Sequence, residues 1–261
     1  NNGQTSWNVG TYWDQNNYDD IGFISAMIDS IADDYNIDLD RVYVCGFSNG
    51  GYMAYELACE LSDKIAAFGS VSGNFMLNDD QNCYNNREIP IMHIHGTQDE
   101  LSSYYSPSFD TSLTVFESMN YWINFNNLTN LDSTNLGFGG LGNVWHYTAN
   151  NEISNTKFEH YKYENMGHYW MWFPDFPPLW FLGPNDGSFF NSTSELINFF
   201  LEYRLSDFIN EDVLGDVNSD GLINVLDIVI LVEFILEWSE PTEEQFLTSD
   251  LNSDGLLNIL D

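Results

Sequence analysis

Positive charge is nearly absent from this chain: six Lys and Arg residues stand against 40 Asp and Glu, for a formal net charge of −34. A nucleic-acid partner needs cationic side chains to neutralise phosphates, of which the chain offers almost none, and an anionic membrane surface is disfavoured for the same reason. Cysteine is also scarce, with three residues in 261, so no disulfide-dense scaffold is built here. Cys45 lies in an apolar run and reads as a buried thiol, whereas Cys59 and Cys83 can pair if the protein is exported. No stretch reaches the ~18 consecutive apolar residues that a membrane span requires.

What is present supports a packed core. Hydrophobic residues make up 43% of the chain and aromatics 16%, and the length suits one sizeable domain plus a minor module. The acidity is uneven. After Arg204 there are 14 Asp or Glu and no Lys or Arg. A solubilising acidic surface accounts for part of this, and calcium ligation for another part.

Periodicity sketches alternating strands and helices. Residues 19–35 place Ile21, Ile24, Ile28 and Ile31 at helical spacing behind a cluster of acids. Arg41 to Cys45 reads as a buried strand, broken by Gly46 to Gly51, and Tyr52 to Leu61 as a helix. Strands are expected at 65–72, 89–95 and 157–163, and helices at 116–125 and 194–203. Such alternation implies a parallel sheet covered on both faces.

Gly46-Phe47-Ser48-Asn49-Gly50 fits the G-x-S-x-G nucleophile elbow. The serine must stand on a tight strand-to-helix turn where neighbouring side chains would clash, and the N–H of Asn49 then serves a developing oxyanion. A serine needs a base, and in such folds the acid and the histidine follow it in the chain. Asp99, after the 89–95 strand, is the candidate acid. Five histidines compete for the base. His93 and His95 lie on one strand face and read as structural, while His146 and His160 lack distinguishing context. His168 follows the last strand, where the triad histidine belongs.

Several stretches together resemble the polyhydroxybutyrate-depolymerase-type esterases, a family that includes feruloyl and acetylxylan esterases. They are Ser6-Trp7-Asn8, Asp19 to Phe23, Asp38 to Val44, Gly46 to Ala54, His95 to Asp99, Tyr121-Trp122, Gly167 to Trp170 and Phe199-Phe200. The resemblance covers about residues 5–205. It implies an α/β-hydrolase three-layer sandwich with a parallel sheet, with Ser48, Asp99 and His168 as nucleophile, acid and base. Family members also carry an early strand ending in Leu-His-Gly that supplies a second oxyanion donor, and nothing before Trp7 matches it. The chain opens without Met and stops inside a repeat. It therefore reads as a piece of a longer secreted protein, and these 261 residues alone are expected to be weakly active or inactive. The aromatic stretch after His168, MWFPDFPPLWFLGP, reads as a hydrophobic lid or a platform for an apolar acyl group.

Beyond residue 206 the character changes. DVNSDGLINVLD at 216–227 recurs as DLNSDGLLNILD at 250–261, matching at nine of twelve places with a 34-residue period. Side-chain oxygens recur at loop positions 1, 3, 5, 9 and 12, with glycine at the turn and a carbonyl offered at 7, as Ca²⁺ requires. The expected ligands are Asp216, Asn218, Asp220, Leu222, Asn224 and Asp227, then Asp250, Asn252, Asp254, Leu256, Asn258 and Asp261. Loops ending in Asp and followed by one apolar helix resemble a type I dockerin, a small α-helical EF-hand-like module that docks onto cohesin domains. Small hydroxyl residues common at loop positions 10 and 11 of that family are replaced by Val225-Leu226 and Ile259-Leu260.

The expected organisation is an esterase domain over 1–205 and a dockerin-like module over 206–261. The expected activity is hydrolysis of carboxylic esters attached to polysaccharide, or of a polyester, outside the cell. The alternative is an impaired hydrolase serving as an adhesion or scaffold protein, in which the calcium module does the work.

Overall fold

A computed structural model describes residues 6–9, 18–77, 83, 87–109, 112–138, 142–171, 191–208, 214–218, 223–236, 238–252, 254–259 and 261. The chain divides into two compact units, Asn1–Phe208 and Ile209–Asp261. In the first, the elements run α1 (Asp20–Asp34), β1 (Tyr43–Phe47), α2 (Asn49–Glu60), β2 (Ala67–Val71), β3 (Ile91–Gly96), α3 (Val115–Phe125), β4 (Asn130–Phe138), β5 (Asn143–Asn150), β6 (Lys157–Tyr163) and α4 (Ser192–Phe200). They form one six-stranded sheet in the order β1-β2-β3-β6-β5-β4. The first four strands are mutually parallel, and β5 and β4 continue the sheet antiparallel.

The two-residue period of each parallel strand assigns its side chains to opposite layers. Ala67, Val71, Met92, Ile94, Tyr161 and Tyr163 share a core with Leu196, Phe199 and Phe200 of α4. The intervening residues Phe68, Ile91 and Phe158 pack instead with Ala54, Tyr55 and Ala58 of α2 and Trp122 of α3. Helix, sheet and helix make three layers of the α/β-hydrolase type. Gly69 belongs to the α4 face, where a Cβ would collide with Leu196 Cδ2. Helix α3 starts with a complete capping box between Thr114 and Glu117, worth about 1 kcal/mol. Cys59, at the end of α2, is disulfide-bonded to Cys83 with the Cα atoms 4.8 Å apart.

Two expectations change. The sheet is mixed rather than wholly parallel, because β4 and β5 form a hairpin that adds to β6. Strand β4 is largely solvent-exposed and rich in Asn, Asp, Ser and Thr, so it carries no apolar alternation to read. Strand β1 is only partly buried and Cys45 is an exposed free thiol. As the end strand of the described sheet, β1 has a neighbour on one side only. Helix α1 forms as expected but buries none of its residues fully. Ile21 and Ile24 pack partly against the core around Met53 and Leu57.

The second unit holds α5 (Val225–Ile235) and α6 (Glu243–Ser249). Each helix begins with a reciprocal cap, Asn224 with Asp227 and Thr242 with Gln245. Helix α5 is apolar, yet Ile228, Val229 and Val232 on it are exposed.

Candidate active site

Strand β1 runs into α2 through Ser48, whose backbone sits at φ 54°, ψ −121°. A non-glycine residue there is strained by roughly 1–3 kcal/mol, and such strain persists only where its surroundings enforce it. Here the Ser48 N–H donates to the Val71 carbonyl at 2.9 Å, and its own carbonyl accepts from Gly51 and Tyr52. The turn is therefore pinned to the end of β2 on one side and to the first turn of α2 on the other. Gly46 is needed because a Cβ there would lie 2.8 Å from Gly50 Cα and closer still to the Gly50 carbonyl. Gly50 is different. A Cβ at that position meets no described atom within 4 Å, so crowding explains only the first glycine of the motif.

Asn49 opens α2, and its N–H is one of the helix-start donors without an intrahelical partner. Its side chain is held by Trp7, 42 positions earlier: Trp7 N–H donates to Asn49 Oδ1 at 2.7 Å, and Asn49 Nδ2 donates to the Trp7 carbonyl at 3.2 Å. This clamp left no local signal in the sequence.

Asp99 lies three residues beyond the C-terminal end of β3, and His168 lies five beyond the end of β6. His168 Nδ1 donates to Asp99 Oδ2 at 2.7 Å, leaving Nε2 as the ring nitrogen that Asp99 does not engage. The other carboxylate oxygen, Oδ1, accepts from the Leu101 and Ser102 N–H groups at 2.9 and 2.7 Å. Burial pushes the Asp99 carboxyl up, but the donors His168, His95 and Ser102 outweigh it and hold the group well below the usual carboxylate range. It is therefore ionised wherever His168 can act as a base.

The segments bearing these two side chains are fastened together. Thr97 N–H donates to the Tyr163 carbonyl at 2.9 Å and Gln98 N–H to the Met166 carbonyl at 2.8 Å, while Asn165 N–H donates to Thr97 Oγ1 at 2.9 Å. Gly96 permits this approach, since a Cβ there would fall 2.6 Å from the Gly167 carbonyl oxygen and nearer still to that of Met166. The Phe47 ring, next to Ser48, packs on the His168 ring with centroids 4.8 Å apart. Among the described residues the Ser48 hydroxyl makes no hydrogen bond to His168. Such bonds often tighten only when substrate is bound.

The remaining histidines lie elsewhere. His146 is half-buried, pairs with Glu159 at 2.9 Å and stacks on Tyr161. His93, His95 and His160 are fully buried beneath the acid. The aromatic stretch after Met171 lies outside the described residues.

In the second unit the described residues of the two repeats share one hydrogen-bond pattern. Position 12 of each loop accepts from the N–H groups of positions 3 and 9: Asp227 from Asn218 and Asn224, at 3.2 and 2.8 Å, and Asp261 from Asn252 and Asn258, at 3.5 and 2.8 Å. Those backbone donors, Asn224 first, hold the Asp227 carboxyl below its ordinary range. Asp216 and Asp227 are buried, as is Asp250 in the second loop. Asp220 and Leu222 lie outside the described residues. Among the described residues, no three His, Cys, Asp or Glu side chains cluster as a ready metal site. Asn side chains and carbonyls make up the rest of the expected ligand set.

Two stretches of the chain resemble known families. Residues 14–113 match the phospholipase/carboxylesterase family and residues 214–261 match the dockerin type I domain. The bifunctional acetylxylan esterase/xylanase XynS20E of Neocallimastix patriciarum is 38% identical over 92 residues, which are 35% of this chain and 13% of that protein. Feruloyl esterase B of Piromyces equi is 34% identical over 101 residues, 38% of this chain and 18% of its own length. Among solved structures, an acetyl xylan esterase from Aspergillus awamori aligns with a TM-score of 0.43 at 16% identity, over 57% of this chain and 61% of that one. The chain thus spans less than a fifth of each of the two curated relatives. The first unit has the α/β-hydrolase fold, and the stretch that matches the phospholipase/carboxylesterase family lies within it.

Proposed function

We propose that the chain hydrolyses carboxylic esters through an acyl-enzyme on Ser48, on feruloyl or acetyl esters of plant polysaccharide. The observation that carries this reading is the Asp99–His168 hydrogen bond of 2.7 Å, standing beyond the ends of parallel strands beside a strained serine. His168 Nε2 takes the proton of the Ser48 hydroxyl as it attacks the ester carbonyl. Asp99 stabilises the imidazolium without itself becoming protonated. The Asn49 N–H at the start of α2 faces the developing oxyanion. His168 then protonates the departing alcohol, and a water activated by the same ring releases the acid. Esters of a polyhydroxyalkanoate are the second substrate class within this reading, following the family resemblance of the sequence. The Cys59–Cys83 disulfide supports an oxidising, extracellular setting.

Residues 214–261 bind calcium and dock onto a cohesin-type partner. Asp216, Asn218, Asp220, Asn224 and Asp227, with the Leu222 carbonyl, would hold one ion. Asp250, Asn252, Asp254, Asn258 and Asp261, with the Leu256 carbonyl, would hold the other. Buried carboxylates at Asp216, Asp227 and Asp250, in a segment with no Lys or Arg, fit a divalent cation as their compensating charge. The ion supplies folding energy, not chemistry.

The test is Ser48→Ala in the full-length protein, assayed on p-nitrophenyl acetate, methyl ferulate, acetylated xylan and polyester film. Turnover on the preferred substrate should fall on the order of 10⁶-fold. Retained turnover would refute the acyl-enzyme, and preference for the film would move the substrate to the polyester class.

A further inference from the structure

Beneath the candidate triad lies a chain of buried side chains that the acyl-enzyme mechanism does not use. Tyr55 of α2 meets His93 Nδ1 at 2.7 Å, His93 Nε2 meets His95 Nδ1 at 3.0 Å, and His95 Nε2 meets the Ser102 carbonyl at 2.7 Å. The same His95 Nε2 stands 3.3 Å from Asp99 Oδ2, the oxygen that accepts from His168. Tyr55, His93 and His95 are fully buried.

The proton on each ring follows from one fixed acceptor. A backbone carbonyl can only accept, so His95 Nε2 carries hydrogen and its Nδ1 presents a lone pair. His93 Nε2 must then donate, its own Nδ1 must accept, and the Tyr55 hydroxyl supplies that last donor. The row has one polarity from end to end, and it ends on the Ser102 carbonyl with its last N–H also 3.3 Å from the Asp99 carboxylate. A branch is locked by the same logic: His160 Nδ1 donates to the His93 carbonyl at 2.9 Å, so its Nε2 accepts from the Tyr104 hydroxyl at 2.8 Å.

We propose that His95, held in one tautomer by His93 and Tyr55, is a positioning residue for Asp99 and through it sets the orientation and basicity of His168. The proposal rests on reading Asp99 and His168 as acid and base. Asp99 accepts three hydrogen bonds, and the His95 N–H, shared with the Ser102 carbonyl, stands 3.3 Å from Oδ2 as a fourth polar neighbour, so the carboxylate cannot rotate without losing one of them. The His95 donor also draws charge from Oδ2 and so tempers how strongly that oxygen favours the imidazolium of His168.

The titratable groups around His95 come from every element packed on it. Its own strand carries His93, and β6 carries His160, edge-on to His93. Helix α2 carries Tyr55 and Tyr52, the latter bonded to Ser102 Oγ, and the loop after β3 carries Asp99 and Tyr104, edge-on to His95. His168 lies across Asp99. Burial pulls His160 down to about 3 and His93 well below the ordinary imidazole range, and it pushes Tyr55 upward. Burial thus favours the neutral form of His160, His93 and Tyr55 alike.

The experiment compares the pH dependence of kcat/KM for the full-length protein and its His95→Phe and His95→Gln variants. Phe keeps the ring's bulk and removes the donor, leaving more charge on Oδ2. The acid limb should move to higher pH, and kcat should fall about tenfold with KM unchanged. Gln retains an N–H for Asp99 and an oxygen for His93, and it should return the limb towards that of the parent. An unmoved limb in folded His95→Phe, or a Gln variant no better than Phe, overturns the proposal. Imidazole ¹⁵N spectra of the unsubstituted protein give a check independent of mutant folding. Both His93 and His95 should be Nε2–H tautomers, and an Nδ1–H form of either would overturn it. Activity that survives Ser48→Ala would instead fail the hydrolase reading, whatever His95 does.

Discussion

Gly96→Ala probes the fastening of the acid loop to the base loop with a single methyl group. The added Cβ would lie 2.6 Å from the Gly167 carbonyl oxygen. To reach the 3.0 Å floor of real Cβ contacts that oxygen must withdraw by about 0.4 Å, and the Met166 oxygen by more. The Met166 oxygen is not free to do so, since it also accepts from Gln98 N–H at 2.8 Å. The relief must come from parting the 96–99 segment from the 164–168 segment. That movement acts directly on the 2.7 Å bond between His168 and Asp99. Catalytic groups tolerate about 0.5 Å of misplacement, and about 1 Å costs on the order of 100-fold. The expected loss is therefore about 10–100-fold in kcat with KM little changed, alongside about 1–3 kcal/mol of stability from overpacking. The assay is steady-state hydrolysis of p-nitrophenyl acetate by full-length protein, paired with a thermal melt. A variant destabilised as expected but with parental kcat would refute the claim that this contact aligns acid and base.

Other consequences can be measured separately. Glu56, 6% exposed on α2, is pushed up to about 7 by burial and then by the neighbouring Glu60 carboxylate. Its folded value lies above its unfolded one, so its contribution is full below about pH 4.5 and lost as pH rises through 7. Glu56→Gln should therefore gain on the order of 3 kcal/mol relative to the parent between pH 4.5 and 8 in denaturant unfolding, and parallel pH profiles would contradict this. Cys59 and Cys83 are separated by 24 positions, and replacing both by Ser should cost about 3 kcal/mol on the chain-entropy account. Equal denaturation midpoints for oxidised parent and variant would argue against it. Chelation of divalent ions should remove the calorimetric transition of the 209–261 unit and leave that of the first unit in place. A trace unchanged by EDTA, or one restored by magnesium as well as by calcium, would count against calcium-coupled folding.

Much of the fold was legible because its signals are local. Strand β6 matches the expected 157–163, and α3 and α2 fall within a few residues of their apolar patterns. The G-x-S-x-G turn announces itself because strand, glycine and helix are adjacent in the chain. Other features had no such signal. The β4–β5 hairpin is built of polar residues and is ordered by backbone pairing to β6, which side-chain pattern does not encode. His93 and His95 read as structural from their strand face, yet the reading held no hint that a carbonyl fixes their tautomers.

Sequence by itself determined the periodicities, the strained turn at Ser48 and the twelve-residue loops of the second unit, because each is set by neighbours a few bonds away. Chain order and resemblance suggested which acid and which histidine to pair. Only the tertiary structure decided that Asp99 and His168 stand 2.7 Å apart, that Trp7 clamps Asn49, and that a row of three buried side chains ends beside the acid's carboxylate. Those contacts join residues 42 and 69 positions apart. They exist because parallel strands β1, β2, β3 and β6 bring their C-terminal ends to one rim of the sheet, and no local pattern records which loops meet there.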